Sequence, residues 1–118
     1  MILIILSLLF FKHWVFDFLW QTDSELANKG TYGNFKGFKH SLKHGLGTAL
    51  VFLPFSPYWA AIAFCDMYTH YHIDWIKMNY GNQDIKTKKF WRDLGLDQLV
   101  HSLVYIGLVF LYLHLNRY

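Results

Sequence analysis

The chain has one cysteine, two prolines and one glutamate among its 118 residues. A single thiol, Cys65, excludes an intramolecular disulfide framework and any thiolate metal cluster. Lying in an apolar run, it is expected to be packed as a small hydrophobe. Both prolines fall in "PFSP", residues 54–57, so no proline-rich linker divides the chain. Low-complexity segments are missing too, which leaves a single domain spanning residues 1–118. Charged residues make up only 16%, with a formal net charge of +3, and no nucleic-acid partner is expected from so modest a balance.

Apolar and aromatic residues are abundant, at 54% and 20%. A soluble chain of this length buries roughly two thirds of its unfolded surface, so many of the 5 Trp, 8 Tyr and 11 Phe would face water. A lipid bilayer removes that difficulty. The first segment, "MILIILSLLFFKHWVFDFLW", is long enough to span about 30 Å of hydrocarbon. It lacks the basic start and small-residue cleavage site of a secretory signal, and reads as a retained membrane helix. A polar stretch punctuated by Gly30, Gly33 and Gly37 favours turns. A second span is expected over residues 40–55, closing at "PFSP", with Ser56 as N-cap and Pro57 as first residue of a third helix that runs to about Met78. The loop "NYGNQDIKTKKFWRD" then leads into "LGLDQLVHSLVYIGLVFLYLHL".

The expected fold is all-α, an integral-membrane antiparallel bundle of four helices; a compact soluble or monotopic four-helix bundle is the competing architecture. Lys29, Lys36, Lys39 and Lys43 flank the first long loop, and Lys77, Lys86, Lys88, Lys89 and Arg92 the second, whereas "PFSP" has no basic residue. By the positive-inside rule both long loops face the cytoplasm in a multi-pass membrane protein, which together with the resemblance given below implies the bacterial inner membrane, with Arg117 the one charge against this orientation.

Histidine and aspartate supply most of the polarity inside the spans. There are seven of each, and six pairs stand four residues apart: His13/Asp17, His40/His44, Asp66/His70, His70/Asp74, Asp93/Asp97 and Asp97/His101. Random placement would give about 1.6 such pairs. No pair stands three apart. Residues four apart share one helical face, so each expected helix carries a polar stripe. At 1.5 Å per residue, His13, Asp17, His40, His44, His70, Asp74, Asp97 and His101 all fall within two or three turns of the expected cytoplasmic face. An antiparallel bundle lets them converge as a polar His/Asp cluster near that face.

Buried carboxylates and imidazoles are costly unless paired or bound to a metal. These eight residues are therefore the expected ligands of a divalent metal, as one ion or two. The donors are nitrogen and oxygen, which leaves zinc, manganese, iron and magnesium open. Gln21, Lys29, Lys77 and Gln98 lie near the cluster as candidate substrate contacts, and Asp66 and Glu25 are candidate general bases. His72, two residues from His70, belongs to another face. Trp14, Phe16, Phe18 and Trp20 are expected to form a lipid-facing belt, and Gly45, Gly47, Gly95 and Gly107 to permit close helix approach.

Four stretches carry a resemblance: "HWVFDFLWQT" (13–22), "HSLKH" (40–44), "HYHIDWIK" (70–77) and "DQLVH" (97–101). In this order they resemble domain of unknown function 3307, a family of small multi-pass bacterial and phage membrane proteins; His72 departs mildly from the pattern. The resemblance implies a multi-pass membrane protein whose polar positions form one site, and it brings no activity. A looser similarity connects the chain to membrane-bound metal-dependent hydrolases, as analogy only.

Hydrolysis at the cytoplasmic membrane surface, of a lipid, lipid-linked or phosphorylated substrate, is the leading expectation. Its competitors are a proton or metal-ion transporter and a non-catalytic membrane helper with a structural metal site. The glutamate-poor ligand set ranks an oxidative di-iron centre below hydrolysis. The lipid bilayer is the expected partner, and self-association as a homo-oligomer stays open.

Overall fold

A computed structural model describes residues 1–117, and it is all-helical, with no strand among the described residues. Helix α1 (Ile2–Trp14) runs into a π-helical turn (Val15–Leu19) closed by the bond from the Trp20 N–H to the Val15 carbonyl, 2.8 Å. The polar stretch after it is not all turn. Thr22 and Glu25 form a reciprocal capping box that starts the short helix α2 (Asp23–Asn28). The hydroxyl accepts the Glu25 N–H at 3.1 Å, and the carboxylate accepts the Thr22 N–H at 3.2 Å. Gly33, at φ 80°, makes the turn into α3 (Phe35–Phe52), which Asn34 caps.

Helix α3 ends at the proline turn and α4 (Trp59–Tyr80) follows. Its start differs from expectation. Ser56 does accept the Tyr58 N–H, but the helix begins two residues beyond Pro57, at Trp59. Asn116 donates to the Ser56 hydroxyl at 2.9 Å, tying the end of the chain to this turn. Thr87 caps α5 (Lys88–Leu115), the longest helix.

Helix α3 packs on α4, α4 on α5, and α1 on both α3 and α5. Each long helix turns inward a stripe that is polar at one end and apolar at the other. On α1 it reads Ile5, Leu9, Lys12, His13; on α5 it reads Asp97, His101, Tyr105, Leu108, Tyr112. The polar ends meet beside the two long loops. The apolar ends meet beside the proline turn, where Ile5, Leu9, Phe52 and Ile62 are completely buried.

The outer surface is apolar for much of its area, with Leu3, Leu50 and Phe110 each about 70% exposed or more. Trp14, Phe18 and Trp20 face outward near the polar end, while Phe16 turns in against His44. Two helical segments, Ile2–Leu19 and Lys88–Leu115, are long and apolar enough to cross a membrane. Helices α3 and α4, expected as spans, do not meet that standard, because α3 carries Lys36, Lys39 and Lys43 besides His40 and His44, and α4 carries Asp66, His70 and Asp74.

Two smaller expectations are corrected. Cys65 is exposed on α4 rather than packed, because it lies off the inward stripe. Gly45 and Gly47 do sit at close approaches, but a Cβ at Gly95 or Gly107 would meet nothing within 4 Å.

Candidate metal centre

Four side chains converge where α1 becomes the π-helical turn. Asp17 is the single carboxylate in that turn, and its Oδ1 lies 2.8 Å from His44 Nε2, 3.0 Å from His40 Nε2 and 3.7 Å from His70 Nε2. The His40 and His70 Nε2 atoms are 3.3 Å apart. The π turn adds a residue to one helical turn, a local distortion found repeatedly at functional sites. Helix α3 supplies His40 and His44 one turn apart, and α4 supplies His70, whose ring stacks on His44 at 3.6 Å between centroids. All three histidines are completely buried.

This crowding has a chemical meaning. A carboxylate oxygen has two lone pairs, yet three ring nitrogens point at Asp17 Oδ1. Two facing imidazole nitrogens cannot both hold a proton, or both lack one, without repulsion. A cation among the four atoms resolves the conflict, since each then offers it a lone pair. Tetrahedral ligation at 2.0–2.1 Å places donor atoms about 3.3 Å from one another. The distances given above, 2.8–3.7 Å, bracket that value, and all four donors lie within 4.8 Å of one another.

A second set, His70, Asp74 and His101, adjoins the first and shares His70. His70 Nε2 is 3.0 Å from Asp74 Oδ2, and His101 Nε2 is 3.7 Å from Asp74 Oδ1. Asp74 Oδ2 also lies 3.3 Å from His40 Nε2, whereas Asp74 Oδ1 and His101 Nε2 make no hydrogen bond among the described residues. Such buried atoms carry the full penalty of desolvation unless something else meets them. His101 is held by its other nitrogen, bonded at 2.8 Å to the Asp97 carbonyl.

Of the eight ligands expected from spacing, six fall in these two sets. His13 and Asp97 lie just outside. His13 Nε2 meets Gln98 Oε1 at 2.8 Å and Asp17 Oδ2 at 3.1 Å, and its Nδ1 meets the Tyr105 hydroxyl at 2.8 Å. With both nitrogens engaged, His13 orients Asp17. Asp97 accepts from Gln98 at 3.0 Å and lies 3.5 Å from Lys77 Nζ. Its neighbour in spacing, Asp93, is apart from the cluster and pairs with Lys89 at 2.7 Å.

The two candidate general bases each hold a lysine. Glu25 meets Lys43 at 2.5 Å, and its other oxygen is 3.6 Å from His40 Nδ1. Burial alone would push the Glu25 carboxyl up, but the Lys43 ammonium and the Thr22 N–H together hold it below the usual carboxylate range. Asp66 pairs with Lys12 at 2.7 Å and accepts a short bond from Thr48.

Lys12 is the residue that spacing did not single out. It is buried in α1, bonds Thr48 at 3.0 Å and the His44 carbonyl at 3.2 Å, and lies 4.8 Å above the Tyr105 ring. The signal was available as a lone lysine inside an apolar run, four residues before Phe16 on the same face. Gly47 makes room for it: a Cβ there would lie 2.6 Å from the lysine stem and from the Phe16 ring. His72 lies on another face, as its spacing from His70 indicated, bonding the Tyr68 carbonyl and the Tyr32 hydroxyl.

A cavity of about 560 Å³ opens over the centre at the loop end. Asp17 lines it, together with all four candidate substrate contacts, Gln21, Lys29, Lys77 and Gln98. Lys29 Nζ donates to Gln21 at 3.0 Å and is 3.6 Å from Asp74 Oδ2. Neither Glu25 nor Asp66 lines this cavity.

The family model for proteins of unknown function DUF3307 matches residues 5–117. The chain belongs to that family. No curated protein and no solved structure matches it. For this DUF3307 protein, function is therefore argued from the site. Its buried His/Asp groups can hold a metal ion.

Proposed function

We propose that this DUF3307 protein is a membrane-embedded metal-dependent hydrolase, a four-helix multi-pass bundle whose centre lies near the cytoplasmic face. The observation that carries it is the convergence of Asp17, His40, His44 and His70 beneath a cavity that reaches Asp17. A bound divalent ion would polarise a phosphoryl or acyl oxygen and lower the pKa of a bound water toward neutrality. The protein's part is to fix the ligands. His13 holds Asp17 in orientation through Tyr105 and Gln98, and Lys29 and Lys77 offer positive charge in the cavity wall.

The inside-out distribution of polarity supports the membrane setting. Large apolar side chains cover the exterior, while ionisable groups fill half of the interior. The lysines of the two long loops support placing the cavity on the cytoplasmic side. Transport is less well supported, because the other half of the interior is closed by Ile5, Leu9, Phe52 and Ile62, with no polar relay through it among the described residues.

One observation favours a second reading, a structural metal in a non-catalytic membrane protein. Four protein ligands fill a tetrahedral ion and leave no position for water. Hydrolysis therefore calls for five or six coordination, which manganese, iron or an expanded zinc site provides.

The test is metal analysis of purified protein alongside hydrolysis of a phosphomonoester, phosphodiester and carboxylester panel in lipid. Bound divalent metal with metal-dependent turnover is the expected result. Protein without metal under several purification conditions sinks both readings. Stoichiometric metal with no turnover on the panel, and stability lost with the metal, selects the structural reading.

A further inference from the structure

Two recesses meet at Lys77. One is the polar cavity over Asp17. The other is a groove of about 300 Å³ between α4 and α5, walled by Ile73, Ile76, Tyr80, Leu96 and Val100. Lys77 and Asp93 line both. The groove runs along about 10 Å of α4 from Ile73 to Tyr80. It opens outward past side chains that are more than half exposed, Ile76, Tyr80 and Leu96. It lies at the depth of the metal centre, since Asp74 and Asp97 belong to the same helical turns.

Charge decides what the polar recess can accept. Its lining carries Lys29 and Lys77 against Asp17, Asp23 and Asp93, so by itself it repels an anion. A divalent ion held at Asp17 turns the lining's balance from one net negative charge to one net positive charge. An anionic group is then favoured, and only then. The adjoining groove offers that anion's remainder a largely apolar wall leading sideways out of the protein, with Lys77, Asp93 and Asp97 as its charged groups.

We propose that the substrate is a lipid phosphate, with its phosphate head in the cavity against the ion, Lys29 and Lys77, and its hydrocarbon chain leaving through the α4–α5 groove into the bilayer. This rests on the metal centre proposed above. It goes beyond that reading in naming a chain-bearing phosphate as the substrate and Ile73, Leu96 and Val100 as the surfaces that select it. A soluble phosphate would use the cavity and leave the groove unused.

The experiment uses full-length protein in nanodiscs of uncharged lipid, its metal content measured before any ligand is added. Binding of dodecyl phosphate, inorganic phosphate and uncharged dodecyl maltoside is compared between wild type and Val100→Trp, which fills the groove. Dodecyl phosphate should bind the variant at least tenfold more weakly, while inorganic phosphate binding and metal content stay the same. Chelation should abolish dodecyl phosphate binding to wild type. Equal binding of dodecyl phosphate to both proteins would overturn the proposal, as would dodecyl maltoside competing as well as dodecyl phosphate. Failure of the metal reading looks different, because the protein would then carry no ion at the outset. Should Val100→Trp disturb the fold, Leu96→Trp, at an exposed position of the same groove, carries the same comparison.

Discussion

The two halves of this protein's interior are built on opposite rules. Beside the proline turn, Ile5, Leu9, Phe52, Ile62 and Leu108 fill the space between helices with side chains that any lipid tail resembles. Beside the long loops, the same four helices bury Lys12, Asp17, His40, His44, Asp66, His70, Asp74 and His101. In the membrane setting proposed above, the first half gains only dispersion and close packing, since in lipid no hydrophobic drive separates helix from tail. The second half gains nothing from burial and depends on every charge finding a partner. Lys12 and Asp66 stand at the seam. Removing a residue should therefore have very different consequences on the two sides of it.

The largest effect is expected at the seam itself. Lys12→Met leaves the Asp66 carboxylate buried beside Thr48 with no counter-charge, which costs about 3–5 kcal/mol. The double variant Lys12→Met with Asp66→Leu removes both charges and should regain most of the loss. Thermal unfolding in detergent measures both. If the double variant is no more stable than the single one, the seam is not governed by charge pairing.

Metal removal comes next and should act on one half only. With metal at a hundred times its dissociation constant, binding adds about 2.7 kcal/mol to the folded state, and chelation takes that away. Hydrogen exchange should then quicken around His40, His44 and His70 and leave the segment around Phe52 and Ile62 unchanged. Equal quickening in both halves would break the comparison.

The converse substitution is Phe52→Ala in the apolar half. Its ring packs on Tyr112 and is completely buried, so a cavity follows. If, as proposed, lipid rather than water is the competing environment, a cost of about 2 kcal/mol is expected, below the range for soluble cores. Metal content should stay at the wild-type value. Loss of metal in this variant would show that the halves are coupled through the helices.

The polar half was the more legible of the two in sequence, for the same physical reason that it is the more demanding. A period of four among His13, Asp17, His40, His44, His70 and Asp74 is visible because few other polar residues compete with it, and helical geometry turns that period into a face. The apolar half has no such signal: Leu9 is completely buried and Leu8 is 42% exposed, and nothing in the sequence distinguishes them. Lys12 escaped because its partner Asp66 is 54 residues away on another helix, and separation in sequence carries no period. The π turn at Asp17 and the short helix α2 escaped too, since both depend on local bonds between particular backbone groups. The all-helical class was legible in the sequence, whereas which ligands meet was fixed only by packing.

The smallest effect is expected at the outer rim of the polar half, where the capping box meets water. Glu25 is held ionised by Lys43 and the Thr22 N–H, its carboxyl below the usual range despite burial. A group whose folded pKa is depressed adds stability above its unfolded pKa, near 4.3 for Glu, and loses it as pH falls through the folded value. Wild-type stability should therefore decline on acidification below about pH 4.3, by about 1 kcal/mol from this residue. Glu25→Gln keeps one capping acceptor but cannot ionise, so it should be less stable near neutrality and show a shallower acid decline. Thermal midpoints of the two proteins between pH 3 and 7 measure the difference. Parallel curves would mean that Lys43 contributes nothing to the polar half, and that its charge balance closes inside the ring of His40, Asp17 and Asp74 alone.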